Sequence, residues 1–139
     1  MTQIIEALAD DRAGRRDLST ALRRGLLGRC PHCGEGRLFR AYLKVVDRCE
    51  VCGEPFHHQR ADDAPPYITM LIVGHIVVAG VVAAEEAWPT SSMFLGALVW
   101  MCLTLVLSLL ILPRVKGALV GYQWALRMHG FGGPERDAP

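Results

Sequence analysis

The chain has 139 residues, 15 Lys or Arg, 14 Asp or Glu and a formal net charge of +1, a length that suits one domain and excludes a multidomain enzyme. Its mean hydropathy of +0.23 hides an uneven distribution, because charged residues lie towards the ends and apolar residues in the middle. Residues 67–84 and 93–112 contain no Asp, Glu, Lys or Arg. A soluble fold of this size does not need two such long uncharged runs.

The N-terminal part divides into a polar stretch and an amphipathic one. Residues 1–16 are polar without clear periodicity, which predicts a flexible N-terminus. From Asp17 onwards apolar residues recur at helical spacing, which predicts a short helix at the start of a module spanning residues 17–60. We expect this helix to lie on a membrane or to pack on the ribbon that follows.

Four of the five cysteines form two pairs, Cys30 with Cys33 and Cys49 with Cys52, as C-x2-C, 15 residues and C-x2-C. Two residues between thiolates let one tight turn aim both sulfurs inward, and two such turns complete a tetrahedron around one ion. A glycine follows the second cysteine of each pair, where the turn favours positive φ. The pattern predicts that these four cysteines bind zinc, covered by a short β ribbon from the residues between the pairs.

Other uses of these cysteines stay open. A rubredoxin-like iron centre shares the C-x-x-C-G turn and the all-thiolate ligation. Disulfides require an oxidising compartment, and redox thiols of the thioredoxin kind require a βαβ context that this chain lacks. A closed site of four cysteines has no open coordination position, so the metal is expected to stabilise the fold rather than to catalyse a reaction.

The segment between the second cysteine pair and the first apolar run contains His57, His58, Asp62 and Asp63. These side chains allow a second metal or proton site to be considered. Because no nucleophile or closed ligand set accompanies them, we interpret the segment as a polar linker. The two aspartates and the prolines that follow predict the start of a helix.

The two uncharged runs predict a transmembrane hairpin over residues 61–112, with helices over 67–84 and 93–112. At 1.5 Å per residue they span roughly 27 and 30 Å, against a hydrocarbon core of about 30 Å. The loop between them contains Trp88 and Pro89, which suit a tight turn with an interfacial aromatic anchor.

His75 is the one strongly polar ionisable residue within these runs. It lies eight residues from Tyr67, as Thr104 lies eight from Leu112, so an antiparallel hairpin places both at the same depth. We therefore expect the His75 imidazole to form a hydrogen bond with Thr104. Haem or metal ligation, proton movement and contact with another membrane subunit are the functional alternatives.

Residues 113–131 predict a separate amphipathic helix lying at the membrane interface, followed by a tail over 132–139. Its expected apolar face repeats at helical spacing, and its polar side chains are expected to point elsewhere. The apolar set is Val115, Leu119, Tyr122 and Leu126, and the polar set is Lys116, Gln123 and Arg127.

Basic residues predict the orientation. Eleven Lys or Arg precede Tyr67, four follow Leu112, and the connecting loop carries Glu85 and Glu86 but no basic residue, so both termini are expected in the cytoplasm. The first residues lack the apolar region of a secretory signal, so we expect the ribbon in a reducing compartment. Residues 12–60 contain 11 basic and five acidic side chains, for which anionic lipid is the favoured partner over nucleic acid.

The cysteine pairs together with ADDAPPY, ITMLIVGHIVV and LPRVKGALVGYQWALRMHGF closely resemble the bacterial domain-of-unknown-function family 983, from Leu22 to Phe131. The resemblance implies a small bacterial inner-membrane protein with an N-terminal zinc-ribbon-like segment and two spans. It supplies no activity. Some relatives are encoded near terminal-oxidase subunits, which points to respiratory-complex biogenesis.

The leading functional hypothesis is a membrane-tethered zinc-ribbon module that binds or assembles other integral membrane proteins. No catalytic motif and no small-molecule substrate is identified, so an enzyme is not expected. The alternatives are a redox or metal-handling membrane protein with a rubredoxin-like iron site, and a membrane-anchored ribbon that binds nucleic acid.

Overall fold

A computed structural model describes residues 16–61, 63–89 and 92–131. The elements in chain order are α1 (Leu18–Leu26), β1 (Phe39–Ala41), β2 (Lys44–Val45), α2 (Ala64–Ala87), α3 (Met93–Ala125) and a 3-10 turn (Met128–Gly130). The predicted flexible N-terminus apart from Arg16, the predicted tail and positions 62, 90 and 91 lie outside the described residues.

The fold has two parts. Residues 16–61 and 113–131 form what we name the ribbon module, which contains four of the five cysteines and most of the buried residues. Residues 63–89 and 92–112 form the apolar hairpin, whose side chains are mostly exposed. Both parts share α3, which runs from the hairpin into the module.

The predicted helix from Asp17 is confirmed as α1. The Asp17 carboxylate accepts hydrogen bonds from the backbone N–H groups of Ser19 (3.1 Å) and Thr20 (3.3 Å), so it caps the first turn. Hydrogen bonds from the Thr20 and Ser19 side chains lower the pKa of this carboxyl group. Arg23 and Arg24 occupy the last turn, where they complement the helix dipole.

The predicted short ribbon is also present. β1 and β2 pair antiparallel, with Phe39 opposite Val45 and Ala41 opposite Lys44. Leu43, in the turn between the two strands, has a φ of 60°. Tyr42 also lies in this turn and is about half exposed.

α2 and α3 are both long and apolar enough to cross a membrane. They contain 24 and 33 residues, which corresponds to about 36 and 50 Å of helix. The prolines predicted at the helix start occupy the first turn of α2, but the Asp63 side chain makes no capping hydrogen bond. The predicted helix start is therefore present without a cap from the Asp63 side chain, and position 62 lies outside the described residues.

The predicted separate interfacial helix over 113–131 is not formed, because α3 continues through Pro113 to Ala125. A proline in a helix interior has no N–H, so the carbonyl oxygen of Leu109 loses its usual donor. The Tyr42 hydroxyl of the ribbon donates a hydrogen bond to this oxygen at 3.0 Å. A contact from a distant part of the chain therefore satisfies the carbonyl that proline leaves without a partner.

The predicted faces of this segment are also partly wrong. Gln123 is 8% exposed, whereas Tyr122 and Leu126 are 39% and 48% exposed. The Gln123 amide accepts from the backbone N–H of Arg60 (3.1 Å) and donates to the carbonyl oxygen of Arg60 (3.2 Å). Its burial follows from these two bonds, which tie the segment before α2 to α3.

α1 packs on α3. A Cβ atom added to Gly117 would overlap the carbonyl oxygen of Gly25, and one added to Gly121 would overlap that of Ala21. Only residues without a side chain allow backbones to approach this closely. Because Gly25 meets Gly117 and Ala21 meets Gly121, the two helices run antiparallel.

The buried core lies where α1, the ribbon and the end of α3 meet. It includes Leu38, Phe56, Val120, Trp124 and Phe131. Residues 113–125 thus provide a central helix of the ribbon module.

Candidate metal centre

Two similar turns hold the cysteines. In the first, the N–H of Gly34 donates to the carbonyl oxygen of Cys30 at 2.8 Å, and in the second the N–H of Gly53 donates to that of Cys49 at 2.9 Å. The two glycines have φ values of +78° and +72°, as predicted. Isolated β-bridges, Arg29 with Arg37 and Arg48 with Pro55, flank the turns.

The four sulfur atoms of Cys30, Cys33, Cys49 and Cys52 lie within 4.8 Å of one another and could hold a metal ion. The Sγ atoms of Cys30 and Cys52 are 3.7 Å apart, and those of Cys33 and Cys49 are 3.8 Å apart. A tetrahedron with metal–sulfur distances of about 2.3 Å has edges of about 3.8 Å. The sulfur positions therefore fit one four-coordinate ion.

Burial differs between the two cysteines of each turn. Cys30 and Cys49, the first of each pair, are 0% and 3% exposed, whereas Cys52 is exposed. A Cβ atom added to Gly36 would overlap the Cys49 sulfur. The site thus opens towards one side and requires a glycine beside it.

Local hydrogen bonds and burial set the acidity of the thiols. Backbone N–H groups of Gly36 and Glu35 lower the pKa of the Cys33 thiol to about 6. Burial raises the pKa of Cys30. Desolvation of the sulfur atom by its neighbours also raises the pKa of Cys52, although the residue as a whole is exposed. Cys33 therefore ionises more readily than Cys30 and Cys52, and a metal that binds here would have to displace the proton from the buried Cys30.

Arg24 connects α1 to the first cysteine turn. Its Nη1 donates to the carbonyl oxygens of Pro31 (3.0 Å) and His32 (2.7 Å). In the sequence, Arg24 is one of two adjacent arginines in the amphipathic stretch that follows Asp17. Its position six residues before Cys30 gives no local indication of this role.

A second connection joins the other cysteine turn to α3. The Trp124 Nε1–H donates to the Glu54 carboxylate at 2.7 Å, and an Arg16 amino group lies 3.8 Å from the same oxygen. The Arg16 guanidinium also stacks 4.2 Å from the Trp124 ring centroid and donates to the Trp124 carbonyl oxygen at 2.7 Å. This cluster holds three distant parts of the chain together around the candidate metal site.

The other candidate site is not assembled among the described residues. The rings of His57 and His58 are 3.9 Å apart, and His58 packs on Phe131 at 6.0 Å. Within residues 16–61, 63–89 and 92–131, the four cysteines are the one group of three or more metal-binding side chains that could hold an ion. Asp62, another residue of this candidate set, lies outside the described residues.

The expected bond between His75 and Thr104 is wrong. His75 Nδ1 lies 2.7 Å from the carbonyl oxygen of Leu71, one turn earlier in its own helix, and its ring is exposed. The Thr104 hydroxyl donates to the carbonyl oxygen of Trp100 at 2.7 Å. Both polar groups find partners locally, so neither needs the other helix.

Comparison with known proteins gives one match. No curated protein and no solved structure matches the chain. Residues 39–124, more than half of the chain, match the family described as "Protein of unknown function (DUF983)". The matched range includes Cys49 and Cys52 and begins after Cys30 and Cys33. The chain therefore belongs to the DUF983 family.

Proposed function

We propose that this protein is a membrane-tethered zinc-ribbon module that binds other integral membrane proteins of the bacterial inner membrane and takes part in their assembly. Four thiolates in a tetrahedral arrangement are typical of structural zinc. Because all four positions belong to the protein, the ion stabilises the ribbon and leaves no site for substrate. We propose no catalytic turnover for this reason.

The observation that carries the proposal is the continuity of α3. One helix contains a 20-residue uncharged run and then provides Val120 and Trp124 to the core of the ribbon module. A module joined to a membrane helix in this way is held at a fixed distance and angle from the bilayer. A rigid surface close to the membrane suits the recognition of neighbouring membrane proteins.

The orientation in the proposal follows from charge. All 15 basic residues lie outside the loop between the two apolar helices, and that loop carries Glu85 and Glu86. Both termini and the ribbon module then lie in the cytoplasm, where thiols stay reduced. Labelling a cysteine introduced at Ser19 only after permeabilisation, and one at Ser92 from outside, is the expected result. The reverse pattern would contradict the orientation.

The test of the function compares the wild-type chain with Cys49→Ser, with Cys102→Ser as the matched control outside the metal site. Each protein is purified from its native membrane in mild detergent, and metal content and co-purifying membrane proteins are measured. We expect one zinc per chain and the same bound proteins in wild type and Cys102→Ser. Both should be lost in Cys49→Ser.

Two outcomes would overturn the proposal. Stoichiometric iron with visible colour would favour the electron-transfer alternative. Partners retained by metal-free Cys49→Ser would show that the ribbon does not bind them.

A more specific version, biogenesis of a respiratory oxidase, rests on the family resemblance alone. Deletion of the gene should then lower the amount and activity of the terminal oxidase. A normal oxidase level in the deletion strain would remove this part and leave the binding module in place.

A further inference from the structure

We propose that a cavity open to solvent, between the end of α1 and the start of β1, binds the phosphate-bearing headgroup of an anionic phospholipid. This inference rests on the proposed membrane insertion. The cavity has a volume of about 520 Å³. Its lining residues are Leu27, Gly28, Arg29, Glu35, Arg37 and Phe39.

Two arginines face each other in this cavity. Arg29 and Arg37 are partners in an antiparallel β-bridge. The backbone hydrogen bonds are made by their neighbours: the N–H of Cys30 donates to the carbonyl oxygen of Gly36 (2.8 Å), and the N–H of Leu38 donates to that of Gly28 (2.9 Å). The two arginines are therefore directly opposite each other without a hydrogen bond between their own backbones. In such a pair the side chains lie on the same face and close together, and like charges destabilise the strands. An anion between the guanidinium groups would reverse this effect.

The structure offers these two cations little compensation. Among the described residues, neither Arg29 nor Arg37 has an ion pair or a side-chain hydrogen bond. Glu35 lines the cavity without forming an ion pair with either arginine. One carboxylate against two guanidinium groups leaves a net positive charge, which suits a ligand with a single negative charge.

The Phe39 wall of the cavity lies at the depth expected for the headgroup layer. α1 and α3 are antiparallel, with Gly25 beside Gly117, so Leu27 and Gly28 lie further towards the apolar hairpin. The Phe39 ring lies 3.3 Å from a Cβ atom built on Gly117. Gly117 is five residues past the uncharged run, which corresponds to about 7.5 Å along the helix. The headgroup region of each leaflet is about 5–8 Å thick.

Apolar groups lie on the hydrocarbon side of the arginine pair. Leu27 is 69% exposed at the cavity wall. Tyr42, at the ribbon tip, reaches Leu109 within the uncharged run. A ligand that carries both a phosphate and an acyl chain would contact the arginines and this apolar edge together. This arrangement favours a phospholipid over free phosphate.

The test titrates the zinc-loaded protein in detergent with phosphatidylglycerol, phosphatidylcholine or inorganic phosphate, and follows retained lipid by native mass spectrometry and the unfolding temperature. We expect phosphatidylglycerol to bind most tightly and Arg29→Gln/Arg37→Gln to lose about tenfold or more in affinity, since two charge-assisted contacts are removed. Arg48→Gln is the matched control, because Arg48 precedes Cys49 as Arg29 precedes Cys30 but faces Pro55. It should keep wild-type affinity.

The single variant Arg37→Gln provides a second measurement if the double variant fails to fold. Without anionic lipid its unfolding temperature should exceed that of wild type, because the like-charge pair is gone; with phosphatidylglycerol the order should reverse. Equal binding of phosphatidylglycerol by wild type and the arginine variants, an equal loss in Arg48→Gln, or equal protection by inorganic phosphate would overturn the inference. Zinc content measured on the same samples separates such a result from failure of the proposed function.

Discussion

The ribbon module and the apolar hairpin satisfy their polar groups in different ways. In the module, hydrogen bonds join residues far apart in sequence, such as Trp124 with Glu54 and Gln123 with Arg60. In the hairpin, Thr104 and Ser108 donate to carbonyl oxygens four residues earlier in the same helix. Contacts between elements therefore define the module, whereas the Thr104 and Ser108 hydroxyl groups of the hairpin find their partners within their own helix.

The surfaces of the two parts differ in the same sense. Phe94 and Leu105 of the hairpin are 84% and 61% exposed, as expected for a surface that lipid covers. The two helices meet where the Trp100 ring packs on Gly80, 2.8 Å from a Cβ atom built there. The comparison shows that contacts between elements bury the side chains of the module, whereas the hairpin leaves most of its apolar side chains exposed.

We expect Cys49→Ser to have the largest effect, because it should unfold the ribbon module and leave the apolar hairpin folded. Structural zinc sites supply about 10–16 kcal/mol of apparent binding free energy, so loss of one ligand should unfold the module. The hairpin helices do not depend on the ion and should persist. Zinc analysis measures loss of the ion, circular dichroism measures the helix that remains, and limited proteolysis measures unfolding of the module. A protease-resistant, zinc-free variant would contradict the distinction, and Cys102→Ser is the control.

Gly117→Leu should detach α1 from α3. Because its Cβ would overlap the Gly25 carbonyl oxygen, the two backbones must separate, at a cost of about 3 kcal/mol or more. Gly74→Leu is a matched control in α2, since nothing lies within 4 Å of a Cβ there. Unfolding midpoints of the module measure both. Equal stability of the two variants would show that the close crossing is not required.

Trp124→Phe should destabilise the module by about 1–3 kcal/mol, because it leaves the Glu54 carboxylate without its neutral donor. Trp88→Phe, at a side chain 80% exposed beyond the end of α2, should change little. Chemical denaturation followed by metal release compares them. A smaller effect at position 124 than at position 88 would rule out a structural role for the cluster.

Tyr42→Phe should have the smallest effect, about 1 kcal/mol, through loss of the hydrogen bond to Leu109. It should also increase hydrogen exchange of α3 near Pro113, where the carbonyl oxygen loses its donor. Tyr67→Phe, at a side chain 70% exposed on α2, is the control. Unchanged exchange around Pro113 would show that the ribbon does not support this part of the helix.

The correct sequence predictions rest on short-range patterns. Each of these patterns can be recognised in one short stretch of sequence, and each corresponds to a feature of the structure. They are the C-x2-C spacing, the glycine after each pair, Asp17 before an amphipathic helix, and the two uncharged runs. The errors concern residues whose partners are distant. Pro113 read alone favours a helix break, because nothing near it in sequence indicates that Tyr42 will supply a donor.

The periodicity of apolar residues also could not predict which side chains of the module are buried. Gln123 counts as polar in any helical pattern, and only its two bonds to Arg60 explain why it is buried. The Arg16, Glu54 and Trp124 cluster spans most of the chain, so no window of sequence contains it. The spacing of the cysteines in the sequence thus predicted the candidate metal site, whereas the residues that support this site are brought together only by the tertiary fold.

The use of α3 as the core of the ribbon module has a consequence for biosynthesis. The cysteine turns leave the ribosome first, yet Val120 and Trp124, which they pack around, follow more than 60 residues later. At about 5–20 residues per second this delay is roughly 3–13 s. In the proposed orientation, both apolar helices must enter the bilayer in that interval. The nascent ribbon would therefore have several seconds in which to bind a metal ion before the helical segment that completes its core has been synthesised.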